Sequence, residues 1–276
     1  MKQAQHDLRT RRGGDVVGPL TCQAAVRVAS DQLAGLLSDA ERATLEEHLA
    51  GCDSCSYLRG QLYRTIAVLG SRPNAQVPDA INAMVAGAEG DRAEAVAAQL
   101  PHLYALANAL DADAADDLVQ DTLTSALADA RVDTTASGLA RALTRLAAER
   151  RPVLESPAAP TGDSDADADE PELVFAGLFT EGRYAGAWVD PPAAWGVARV
   201  LRPEDDVVTA EELGVVDAAL AELDPIDAGL VTLVDIETTP FSQAVIELDL
   251  ASVEARERLA RARFAVRSAL DRYLRS

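Results

Sequence analysis

The sequence predicts an all-α fold, and three observations carry that reading. Hydrophobic residues make up 48% of the chain but aromatics only 4%, so Leu, Ala and Val must fill the cores. Those residues favour helix packed on helix. Apolar positions recur at helical spacing in several separate stretches. Ser38-Asp39-Ala40-Glu41 also spells a capping box just ahead of an apolar run.

The 276 residues give room for two or three small domains. No run of eighteen apolar residues occurs, and the first twelve residues (MKQAQHDLRTRR) are polar with no apolar segment behind them. This predicts a cytoplasmic protein with no membrane partner. A net charge of -20 repels phosphate overall, so any contact with nucleic acid needs a locally basic surface.

In chain order, residues 1–19 read as a flexible arm carrying Arg9, Arg11 and Arg12. Residues 20–70 read as a three-helix domain. Val26, Leu33, Leu36 and Leu37 form the first apolar stripe, and the capping box at Ser38 opens a second helix through Leu45 and Leu49 that Gly51 stops. A third helix runs from Asp53 or Ser54 to Gly70. This domain holds all three cysteines, spaced with His48 as Cys22, then His48-x-x-x-Cys52-x-x-Cys55.

Three thiolates and one imidazole are the ligand set of a closed tetrahedral Zn2+ site, and His48 and Cys52 share a helix face if the helix reaches Gly51. With four protein ligands no coordination position stays open, which points to a structural rather than a catalytic metal. Chance clustering and a Cys52–Cys55 disulfide are the alternatives. An odd cysteine count and the expected reducing compartment weigh against the disulfide. Three short helices bury little apolar surface, so a metal would add most here.

Residues 71–93 read as a linker, and 94–151 as a second helical domain. In the latter, Leu118, Thr122, Leu123, Ala126 and Leu127 form one stripe, with Asp117, Gln120, Asp121 and Thr124 on the opposite face. Residues 152–208 form a long linker, strongly acidic over 152–172 and then carrying both tryptophans. Trp188 and Trp195, around Pro191 and Pro192, suggest a short extended segment pinned to a surface. Residues 209–276 read as a terminal helical domain. Its last helix is locally basic, with Arg256, Arg258, Arg261 and Arg263. His6 and His102 have no evident partner for acid-base or nucleophilic work, so no enzyme is expected.

These stretches resemble known families. The cysteine and histidine pattern, with LSDAERATLEEHLAGC leading into it, resembles the zinc-binding anti-sigma domain of bacterial anti-sigma factors across residues 20–70. DADAADDLVQDTLTSAL is similar to the region 2 helix of extracytoplasmic-function (ECF) sigma factors, which docks on the β′ clamp helices of RNA polymerase. That resemblance implies polymerase contacts by Asp117, Leu118, Gln120, Asp121 and Thr124.

Residues 209–276 resemble region 4 of the same family. Ser242 to Leu248 would be the first helix of a helix-turn-helix, Asp249 to Ala251 the turn, and Ser252 to Arg263 the recognition helix. This implies promoter DNA contacts by Ser252, Arg256, Arg258 and Arg261, with Arg141 and Arg145 contacting phosphate.

Two departures stand out. No aromatic residue lies between Tyr104 and Phe175 to stack on single-stranded bases. Asp249 replaces the usual turn glycine, and Glu254 and Glu257 lie among DNA-facing positions. Two functions follow as expectations. The first is a sigma-like factor that binds core RNA polymerase and promoter DNA, controlled in cis by contact with its own zinc domain. The second is a degenerate sigma-like or anti-sigma-type module that binds polymerase or another regulator without initiating transcription.

Overall fold

A computed structural model of the chain describes residues 20–73, 76–88, 90–150, 178–180, 186–195 and 208–276. The arm over 1–19 and the acidic stretch over 152–172 lie outside these residues. Among the described residues the protein is all-helical: twelve α-helices, one π-helical turn and a single isolated antiparallel bridge between Phe179 and Trp188.

The first three helices are α1 (Cys22–Leu33), α2 (Asp39–Gly51) and α3 (Asp53–Gly70). Thr21 caps α1 by accepting from the Ala24 N–H at 3.2 Å. Gly35, at φ 72, closes its far end, and the Leu36 N–H donates back to the Asp31 carbonyl. This left-handed cap ends α1 before Leu36 and Leu37, so the last two residues of the first apolar stripe sit in the following loop. The capping box of α2 forms as its sequence predicts. The Ser38 N–H donates to Glu41 Oε2 at 2.8 Å, and the Glu41 N–H donates to Ser38 Oγ at 3.3 Å.

The chain continues through α4 (Asp79–Ala86), α5 (Asp91–Ala97), α6 (Leu100–Leu110), α7 (Ala115–Ala128) and α8 (Ala136–Arg150). α4 falls inside the stretch that reads as a linker from sequence. Its Ile81 and Val85, four apart on one face, are buried in the core. The C-terminal part comprises α9 (Ala210–Ala221), α10 (Pro225–Val231), the π turn (Thr232–Ile236), α11 (Phe241–Glu247) and α12 (Ser252–Arg275). A second capping box, Thr209 with Glu212, opens α9. Asp249, between α11 and α12, adopts φ 55, a left-handed conformation that Asp tolerates better than most residues.

Two apolar clusters result. The larger joins α4 to α12, so the buried residues of α6–α8 and of α9–α12 share one core. Gly229 lets α10 lie close to its neighbours, since a Cβ there would meet Leu248 Cδ2 at 3.2 Å and Leu110 Cδ2 at 3.4 Å. The smaller cluster belongs to α1–α3, and other parts of the chain complete it: Phe179 from the linker and Ala260 of α12 are buried in it, and Phe264 packs at its edge.

Candidate metal centre and the helix it abuts

Cys22 opens α1, His48 lies in the last turn of α2, Cys52 joins α2 to α3, and Cys55 lies in the first turn of α3. The short connection at Cys52 folds α3 back so that the ligand atoms of Cys22, His48, Cys52 and Cys55 all lie within 4.8 Å of one another. Cys22 Sγ and Cys52 Sγ are 3.9 Å apart. Two sulfurs on a tetrahedral zinc at its usual bond length would be ~3.8 Å apart. His48 Nε2 is buried with no hydrogen-bond partner, an orphaned polar atom that a metal would satisfy. The cluster is therefore positioned to bind a metal ion, consistent with Zn2+.

Burial pushes the Cys55 thiol well up and the Cys22 thiol up as well. In that setting a bound divalent cation would be the stronger influence, since it holds its coordinating sulfurs as thiolates. Trp188 works in the same direction. Its indole N–H donates to Cys55 Sγ at 3.3 Å. Hydrogen bonds of this kind fix the orientation of metal ligands. Its ring packs on Phe179 with centroids 4.5 Å apart. Trp188 thus belongs to the metal centre although it lies 133 residues from Cys55 in the chain.

α1 and α3 also pack on α12 and its surroundings. Arg256 grips Asp31 through two hydrogen bonds, Nε to Oδ1 at 3.0 Å and Nη2 to Oδ2 at 2.5 Å. Arg263 is fully buried. It bonds Asp235 of the π turn in the same two-pronged way and donates to the Ser30 carbonyl at 2.7 Å. Arg267 Nε donates to Gln61 Oε1 at 2.7 Å. On α3, Arg64 pairs with Glu212 of α9 at 3.0 Å, both side chains buried.

The residues singled out for DNA contact are therefore unevenly available. Ser252 and Arg261 are exposed. Arg256 is held by Asp31, and Arg258 pairs with Asp224 at 2.6 Å and Asp227 at 2.7 Å. On α8, Arg141 Nε donates to the Ile246 carbonyl at 3.3 Å and Arg145 lies 3.6 Å from Asp249, so both face α11 and the turn after it.

Of the residues singled out for polymerase contact, Asp117, Gln120, Asp121 and Thr124 are exposed along α7, and Asp121 also pairs with Arg150. Leu118 differs. It is 1% exposed and packs in the large core, because it falls on the apolar stripe of α7 rather than on the acidic face.

A further polar cluster joins α6, α8 and α11. His102 Nε2 lies 2.9 Å from Glu247 Oε2, and Gln243 donates to Glu247 Oε1 at 2.8 Å. Glu247 is fully buried.

Residues 22–56 match the family model described as "Putative zinc-finger". The match takes in all four ligands and does not extend to residues 94–276. No curated protein and no solved structure matches the chain. No helix among the described residues is long and apolar enough to cross a membrane.

Proposed function

We propose that the protein is a cytoplasmic transcription regulator resembling an ECF sigma factor, with its own zinc-binding, anti-sigma-like domain holding it closed. It acts by binding rather than catalysis. The acidic face of α7 takes core RNA polymerase and the arginines of α12 take promoter DNA. The observation that carries this reading is the grip of Asp31 on Arg256, which turns the zinc domain against the helix that resembles a DNA reader.

Tethering in one chain supplies an effective concentration of about millimolar, so a modest interface suffices to hold the lock. In this arrangement Asp117, Gln120 and Thr124 stay exposed while Arg256, Arg263 and Arg267 are engaged. Polymerase docking and DNA contact are thereby treated differently: the acidic face of α7 is open, while Arg256 of the DNA-contacting set is held by the zinc domain.

A second reading is a degenerate module that docks on polymerase without initiating transcription. It is favoured by the complete burial of Arg263 and by the lack of any aromatic residue in α8. A pull-down of core RNA polymerase, with metal content measured on the same samples, tests the element common to both readings. Wild type should retain polymerase, and Asp117→Lys combined with Asp121→Lys should lose it at unchanged metal content. Equal retention by both proteins would remove α7 as the docking face.

A further inference from the structure

The linker segment between the two large parts of the chain touches both the metal centre and α12. At one end, residues 178–180 and 186–189 pair across an isolated antiparallel bridge: the Thr180 N–H donates to the Ala187 carbonyl at 2.7 Å and the Val189 N–H to the Leu178 carbonyl at 2.9 Å. This pair of segments sits on the zinc domain. The Gln23 N–H donates to the Gly186 carbonyl at 3.1 Å. Gly186, at φ 82, approaches so closely that a Cβ would meet Thr21 at 2.9 Å. Trp188 then reaches Cys55 as described.

At the other end, the Trp195 indole N–H donates to Asp271 of α12 at 2.5 Å, and the Arg267 guanidinium lies 6.0 Å over its ring. Between the ends, Gln61 of α3 donates to the Ala193 carbonyl at 2.7 Å while its other amide atom accepts from Arg267.

We propose that residues 186–195 are a strap coupling the metal centre to α12, with Trp188 as the positioning residue at the sulfur ligands and Trp195 as the anchor. The inference deepens the proposed lock and takes its biological use from it. A metal would hold Cys55 in place under the indole N–H of Trp188. Without it, the Cys55 acceptor is free to move and the paired segments lose their seat. The strap is short and pinned at both ends, so a loosened Trp188 loosens Ala193 and Trp195, and with them the support of Gln61, Arg267 and Asp271. Coupling of this kind is reciprocal: whatever metal does to α12 through the strap, the α12 anchor does to metal affinity.

The test is zinc affinity of the full chain, measured by competition with a chromophoric chelator. Trp188→Phe keeps the ring and removes the indole donor to Cys55, and zinc affinity should fall about tenfold. The decisive variant is Trp195→Phe, which touches no metal ligand. Zinc affinity should fall about fivefold there, and an affinity equal to wild type overturns the strap.

Hydrogen exchange of the wild-type protein with and without chelator supplies the second measurement, which no variant can confound. Chelation should raise exchange in residues 186–195 and in α12 together. Exchange rising in α12 while residues 186–195 stay protected, or in neither, contradicts the coupling. Neither readout contains DNA or polymerase. The strap therefore survives if transcription is absent, and the lock survives if an Asp31 variant gains DNA contact while Trp195→Phe leaves zinc affinity unchanged.

Discussion

Arg256 of α12 lays two guanidinium nitrogens on the carboxylate of Asp31 in α1, across 225 residues of chain. Asp31 is buried, with its side chain 3% exposed, whereas the Arg256 side chain is 38% exposed. The acid therefore has little alternative solvation and the base retains some. We expect Asp31→Ala to lower the stability of the zinc-loaded protein by about 1–2 kcal/mol in urea denaturation, less than a fully buried pair would cost because water screens the arginine.

The buried pair beneath it should behave differently. Arg263 and Asp235 are 0% and 2% exposed at the side chain, so removing one partner strands a charge in the core. Asp235→Ala should cost about 3–5 kcal/mol, and Arg263→Met combined with Asp235→Leu should recover much of that loss. Urea midpoints of the two proteins, compared at equal slope, check the ordering.

Metal removal should be felt first in α1–α3. The small cluster there has few residues of its own and borrows Phe179 and Ala260 from elsewhere. Cys52→Ser should reduce bound zinc from about one per chain to a small fraction. Helical content should fall by part of the signal from α1–α3, while the larger core keeps its cooperative transition. Elemental analysis with far-ultraviolet circular dichroism on the same samples measures both.

The His102–Glu247 pair gives a signed pH dependence. The hydrogen bond it donates to Glu247 holds His102 above its ordinary 6.5. Burial works to raise Glu247, but hydrogen bonds from His102, Gln243 and Ser137 outweigh it and leave the carboxyl below 4.5. The histidine contribution is complete below about pH 6.5 and fades as pH rises through its raised value. The glutamate contribution is complete above about pH 4.5 and fades as pH falls through its lowered value. The stability gap between wild type and His102→Gln should be about 1–2 kcal/mol near pH 5.5 and should narrow by about pH 9. A gap that stays constant over that range would contradict the pairing.

Much of the local structure was legible in the residues. The capping box at Ser38, the stop at Gly51 and the span of α3 are signals of a few adjacent residues. The metal ligands are legible because four residues of the right chemistry stand at the right spacing. Trp188 and Trp195 around two prolines read as a segment pinned to a surface, and the surface is the zinc domain and α12. What the sequence does not carry is partnership across distance. Nothing near Asp31 marks it for Arg256, and nothing near Cys55 marks Trp188 as a donor. His102 sits in the first turn of α6 with no partner evident nearby in the sequence, and Glu247 lies 145 residues further on. For Leu118 the two signals conflict: the resemblance implies a polymerase contact, whereas its helical register puts it on the apolar stripe and in the core.

Run-off transcription by purified core RNA polymerase on genomic fragments, comparing the zinc-loaded wild type with zinc-loaded Asp31→Asn, tests the cis lock most directly. We expect specific transcripts from Asp31→Asn at a level at least about tenfold above wild type, with equal amounts of each protein bound to polymerase. Polymerase binding by both proteins without specific transcripts from either would contradict the lock and leave the degenerate binding module.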